Sequence, residues 1–196
     1  ADYKLEEKPD TSKRKIERQV MEMSDLEVEK EAKKSKLLFY QDATHIPRVV
    51  EEILNNWEEQ SQQKVFNAIL TVAFKHRVIE YYEEFQKQLA ARDDIEINVA
   101  MTFSFGTDAN TNPTDPEIIQ AMFKDYASFT GIEYAYGDKR RGEDAYYDDV
   151  VERATRGGSG QNPKNIDLVI VADQLLTGYD SKFINTLYVD RSLALQ

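Results

Sequence analysis

The sequence predicts an α/β fold: a mostly parallel sheet with helices on its faces. Three observations lead there. Strand-length apolar runs alternate with helix-period stretches in the order strand, helix, strand, helix, helix, strand, loop, strand. The chain has 196 residues, 41% of them hydrophobic, which suffices for one sizeable core. The run "IDLVIVA" at 166–172 is nearly unbroken by polar side chains, as a buried strand requires.

Each element has its own signal. Residues 12–36 are strongly charged, with Ile16, Val20 and Met23 at helical spacing. That narrow stripe predicts a solvated helix or a loosely ordered extension; a helix that docks on a partner is the sharper reading. Residues 44–59 predict an amphipathic helix with Ile46, Val49, Val50, Ile53 and Trp57 on one face. Thr44 can cap it, and Pro47 is tolerated in its first turn. A strand is predicted over 65–73, then a helix through "FKHRVIEYYEEFQKQLA", with Val78, Tyr82, Phe85 and Leu89 inward. "IEINVAMTFSF" alternates with period two, which predicts a strand over 95–105. Asp115 followed by Pro116 marks a helix start. A further helix through "GEDAYYDDVVERATR" is expected to stop at Gly157 and Gly158. Strands at 167–172 and 186–190 close the chain.

Composition removes several function classes. There is no cysteine, so disulfide scaffolds and thiolate metal sites are excluded. The two histidines, His45 and His76, fall in different predicted elements and make a poor metal pair. No stretch reaches the roughly 20 apolar residues of a membrane span, and no signal peptide opens the chain. Both features fit a cytoplasmic protein. Net charge is -11, and it is unevenly spread. Residues 1–36 hold 10 basic and 10 acidic side chains, so the remainder holds 15 and 26. That balance weighs against a stand-alone nucleic-acid binder.

Familiar catalytic motifs are missing. There is no G-x-x-x-x-G-K-[ST] phosphate loop, no G-x-G-x-x-G after a strand and no G-x-S-x-G elbow. "GGSG" at 157–160 follows a helix and precedes a strand, the reverse of a phosphate cradle, and reads as a connection. The neighbours Asp93 and Asp94, and likewise Asp148 and Asp149, do not face each other as an acid/base couple would.

Three stretches carry chemistry. Lys75, His76 and Arg77 stand where a strand feeds a helix and could hold a phosphate; an ordinary polar first turn is the plain alternative. "DKRR" at 138–141 could touch a nucleic-acid backbone, or be a solvated loop. Thr177, Gly178 and Asp180 follow the strand at 167–172, at the end of a parallel sheet where ligands bind. Gly178 lets a ligand approach the backbone, Thr177 offers a hydroxyl to phosphate, and Asp180 can accept from ribose. The same residues could form a tight turn with an Asp cap.

"IDLVIVADQLLTGYDSKFINTLYVDRSL" is very similar to the second RecA-like motor domain of the R subunit of type I restriction enzymes. The match runs through Leu176, Thr177, Gly178, Tyr179 and Asp180, then Asn185, Thr186, Leu187, Tyr188, Val189 and Asp190. "NAILTVAFKHRVIEYYEEF" resembles the opening strand and helix of that domain, and "AYYDDVVERATRG" its helix before the motif strand. The likeness covers about residues 37–192.

The resemblance implies a superfamily 2 helicase-like translocase, with ATP and Mg2+ between two RecA-like domains and double-stranded DNA across both. Thr177 would then face DNA, as would Lys75, His76 and Arg77 near the fourth helicase motif. Gly178 and Asp180 would border the nucleotide. The family's first RecA-like domain and nuclease domain are not in the chain, and the sequence stops at "LALQ", before the arginine-bearing sixth motif. The implied organisation is a charged helical extension over 1–36 and a truncated RecA-like domain over 37–196. The chain is thus expected to be an excised piece, inactive alone. Its parent would work with methyltransferase and specificity subunits. Another superfamily 2 DNA helicase, or a small α/β ligand-binding or docking module, is the alternative.

Overall fold

The computed structural model describes residues 43–103, 116–156, 163–172 and 181–191. The chain divides into two units, Ala1–His45 and Ile46–Gln196, and the sheet belongs wholly to the second. The extension expected over 1–36 lies outside the described residues.

Helix α1 (His45–Asn55) and the single turn α2 (Trp57–Gln60) replace the one helix expected over 44–59. The break falls at Asn56, whose side-chain amide donates to the Glu52 carbonyl at 2.8 Å. The predicted face is buried at Ile46, Val50, Ile53 and Trp57, and Leu54 joins it. Gln62, Gln63 and Lys64 then take left-handed φ of 49°, 57° and 65°, which delays strand β1 to Asn67–Val72. Helix α3 (Lys75–Ala90) follows and packs on three strands, burying Val78, Tyr81, Tyr82 and Phe85.

Strand β2 (Val99–Phe103) starts later than the period-two pattern from 95 implies, and residues 104 and 105 lie outside the described residues. It starts at Val99 because its ladder partner starts at Leu168. All five residues are buried, so the alternation does not mark a wet face. Helix α4 (Pro116–Thr130) begins at the predicted proline; Asp115 lies outside the described residues. Helix α5 (Glu143–Ala154) ends before the two glycines. The Thr155 hydroxyl donates to the carbonyls of Val151 and Glu152, and Arg156 itself takes φ 60°. Strands β3 (Leu168–Ala172) and β4 (Ile184–Asp190) complete the described chain.

The sheet runs β2-β3-β1-β4, and every pairing is parallel. All positions of β1, β2 and β3 are buried, so both faces are covered, as parallel sheets demand. Only β4 alternates, with Leu187 and Val189 exposed. Five rings, Phe123, Tyr126, Phe129, Tyr134 and Tyr146, join α4, the following loop and α5 in tilted and edge-on contacts. Tyr126 donates to Asp149 at 2.7 Å, and Arg153 donates to the same carboxylate oxygen at 2.8 Å. Asp148 points to solvent instead, so the adjacent carboxylates do not act as a pair.

Candidate functional site

Parallel pairing puts all four carboxyl ends on one edge, and the register makes them level. Phe103 pairs with Ala172, Ala172 with Val72, and Val72 with Asp190. From β1 the chain passes β3 to reach β2; from β3 it passes β1 to reach β4. These neighbouring strands therefore send their connections in opposite directions. That is a topological switch point, where open α/β sheets leave a crevice for ligands.

Both exits at the crevice carry small side chains, Ala73 after β1 and Ala172 at the end of β3. From β3 the sequence enters residues 173–180. Thr177, Gly178 and Asp180, proposed from sequence to bind there, lie outside the described residues, as does "GGSG" at 157–160.

Lys75, His76 and Arg77 are brought together as the first turn of α3, directly behind β1. Phe74 precedes them in extended conformation, φ -144° and ψ 152°, and its carbonyl accepts the Arg77 amide at 3.0 Å. The His76 ring stacks on Phe74 with centroids 5.5 Å apart and planes 9° from parallel. Arg77 donates from Nη1 to Glu80 at 3.0 Å, one turn on. The turn thus carries an aromatic pair and two basic side chains, of which Arg77 pairs with Glu80.

A second contact ties this edge together. The buried Tyr81 hydroxyl donates to Asp190 Oδ2 at 2.6 Å, joining α3 to the last residue of β4. Burial, then the Asp190 hydrogen bond and charge, push the Tyr81 phenol well above its usual range. Helical periodicity assigns Tyr82 inward and leaves Tyr81 out. A Tyr one turn past a first-turn Arg, and an Asp ending a strand, were the available signals.

The "DKRR" stretch is a turn of its own. Asp138 accepts from the backbone amides of Arg140 and Arg141 at 2.7 and 2.8 Å, which holds its carboxyl below the usual range. These residues are exposed, the solvated-loop reading.

The opposite edge is polar but differently built. Lys64, Asn98, Arg156, Asn165 and Asp167 line a cavity of about 370 Å³ before the strands begin. Arg156 Nη1 donates to the Lys64 carbonyl at 2.9 Å, and Nη2 lies 3.9 Å from Asp167. Burial raises the Asp167 carboxyl and lowers Arg156, so desolvation outweighs their pairing at that distance. Asp167 also accepts the Asn98 amide at 2.9 Å, which fixes β2 against β3. Among the described residues no group of three or more His, Asp or Glu could hold a metal ion. No described helix is long and apolar enough to cross a membrane.

Fold and sheet order together define an α/β domain of the RecA-like kind, with a topological switch point between β1 and β3. The family model for type I restriction enzyme subunit R domain 3 matches residues 64–196, and the chain belongs to that family. It is 30% identical over 152 residues to the type I restriction enzyme SauMRSORF196P endonuclease subunit of Staphylococcus aureus strain MRSA252, and equally to the SauCOLORF180P subunit of strain COL. It is 24% identical over 145 residues to the SsaAORF53P endonuclease subunit of Staphylococcus saprophyticus. Each alignment covers 74% of this chain, which spans about 15% of the length of those relatives.

Proposed function

We propose that the chain serves, within a longer polypeptide, as one wall of an ATP cleft and part of the DNA track of a type I restriction motor. The observation that carries this reading is the switch point between β1 and β3. It has the cationic turn Lys75–Arg77 after one strand and the segment bearing Thr177, Gly178 and Asp180 after the other.

The residues on hand fit a phosphate-bearing ligand in part. Ala73 and Ala172 leave room for close approach, and Lys75 and Arg77 bring positive charge beside it. Gly178 would let the nucleotide meet the backbone, and Asp180 would accept from its hydroxyls or from water bound to Mg2+. ATP, when bound, supplies the free energy of phosphoryl transfer. This chain's part is to bind and orient. Thr177, Lys75, His76 and Arg77 would hold double-stranded DNA by its phosphates, so nucleotide state can bias a DNA contact through a few bonds. The first RecA-like and nuclease domains, and methyltransferase and specificity subunits, would complete the machine in the cytoplasm. The chain alone is inactive in this reading.

Salt titration tests the DNA half of the proposal. In the longer subunit, Lys75→Ala with Arg77→Ala should weaken duplex affinity and flatten its salt dependence by about two phosphate contacts. An unchanged salt slope would contradict it.

A further inference from the structure

The turn at 138–141 holds three basic side chains in water. Lys139, Arg140 and Arg141 are exposed, and among the described residues none of these side chains makes an ion pair or a hydrogen bond. The nearby acids are placed differently. Asp138 accepts the amides of Arg140 and Arg141, and Glu143 Oε2 accepts the Gly137 amide at 3.1 Å. Those N–H dipoles offset part of the carboxylate charge; Asp144, exposed, subtracts from the patch. The backbone is closed as well. The Ala135 amide donates to the Arg141 carbonyl at 2.8 Å, and the Asp138 amide to the Ala135 carbonyl at 3.0 Å. A Cβ at Gly142 would collide with the Asp138 carbonyl, so the chain returns tightly. The backbone that carries the cations is thus ordered before a partner arrives, which lowers the cost of binding.

Helix α5 follows this turn, and contacts at its two ends fix its direction. In its first turn the Tyr146 hydroxyl donates at 2.7 Å to the Met101 carbonyl, midway along β2. At its last residue the Ala154 carbonyl accepts from the side chain of Asn67, the first residue of β1. The helix therefore runs against the strands. Gly142 precedes Tyr146 by about 6 Å of helix, at roughly 1.5 Å per residue. Phe103 follows Met101 by about 7 Å of strand. The basic turn accordingly stands at the carboxyl edge of the sheet, outside the end of β2. Lys75–Arg77 stands at the same edge, behind β1, and β3 lies between the two strands. Two strand spacings, about 10 Å, separate β1 from β2.

We propose that Lys139, Arg140 and Arg141 bind backbone phosphates of double-stranded DNA, as a second contact on the edge where Lys75–Arg77 make the first. Phosphate contacts need exposed donors on an ordered backbone and no pocket. A separation of about 10 Å corresponds to roughly three base steps along one strand of a duplex. The acidic body favours such a division: two cationic turns on one edge admit DNA there, while like charge keeps it off the other surfaces.

This inference deepens the DNA-track reading and rests on it. The test compares two variants of the longer subunit: Lys139→Ala with Arg140→Ala and Arg141→Ala, and Lys75→Ala with Arg77→Ala. Fluorescence anisotropy would measure duplex affinity over a range of salt concentrations. The triple variant should flatten the salt dependence by about two to three phosphate contacts, alike for duplexes of unrelated sequence. Arg140→Lys with Arg141→Lys should keep the wild-type slope, because the charge remains. A wild-type slope in the triple variant, with a flattened slope in the Lys75 and Arg77 variant, would overturn the inference and leave the DNA track standing. Wild-type slopes in both would overturn both. A triple variant weakened by the same factor at every salt concentration would mean a damaged fold rather than lost phosphates, and would overturn the inference. A wild-type slope with loss of the methyltransferase subunit would assign the turn to a protein partner and overturn it too.

Discussion

Tyr81 and Asp190 hold the carboxyl edge of the sheet together: a buried phenol on α3 donates at 2.6 Å to the carboxylate that ends β4. The contact spans 109 residues of sequence and ties the second turn of α3 to the end of β4.

Tyr81→Phe should therefore destabilise the domain by about 1–2 kcal/mol, the range for a hydrogen bond to a charged group that is partly wet. Asp190→Ala should cost at least as much, because a buried hydroxyl loses its acceptor. The double variant should cost less than the sum. Urea unfolding of the four proteins measures this, and strict additivity would show that the pair does not interact.

Glu80 holds Arg77 Nη1 at 3.0 Å, so if the first turn of α3 meets DNA as proposed, the carboxylate competes with phosphate for that cation. Glu80→Gln should raise duplex affinity of the longer subunit about two- to threefold at low salt, consistent with an exposed ion pair worth a few tenths of a kcal/mol. The gain should vanish at high salt, where such charges are screened. Affinity measured at two salt concentrations decides it.

Stability should fall with rising pH through Asp167. Burial raises its carboxyl in the folded state, so the folded protein holds this proton more tightly than the unfolded chain. That contribution is fully present below the unfolded carboxyl value of about 3.9 and is lost as pH rises through the raised folded value. Asp167→Asn removes the titration. Its urea midpoint should drop less than the wild type's between acid and neutral pH. Parallel profiles would contradict this origin.

Much of the fold was legible because its signals are local. Pro116 opens α4, and the apolar run before Ala172 makes a central strand without help from context. What failed was whatever tertiary contact decides. The alternation over 95–105 predicted the strand, but its start at Val99 is set by pairing with β3, which the pattern does not register. The first helix is interrupted at Asn56, with φ -102° and ψ 3°, a local change that periodicity does not register. Of the candidate residues, the placement of Lys75, His76 and Arg77 on one first turn behind β1 was legible. Tyr81 was not legible, since its partner lies 109 residues away.

The central claim is that the crevice between β1 and β3 couples nucleotide to DNA through the segment after β3. DNA-stimulated ATP turnover by the longer subunit tests it most directly, with Thr177→Ala, Gly178→Val and Asp180→Ala compared against wild type. Asp180→Ala should lower stimulated turnover by roughly tenfold or more, as loss of a charged contact does. Gly178→Val should abolish it, because a branched side chain blocks backbone approach. Thr177→Ala should leave turnover without DNA intact and lose the stimulation. Wild-type rates in all three, in folded protein, would contradict the claim and reduce the segment to a turn.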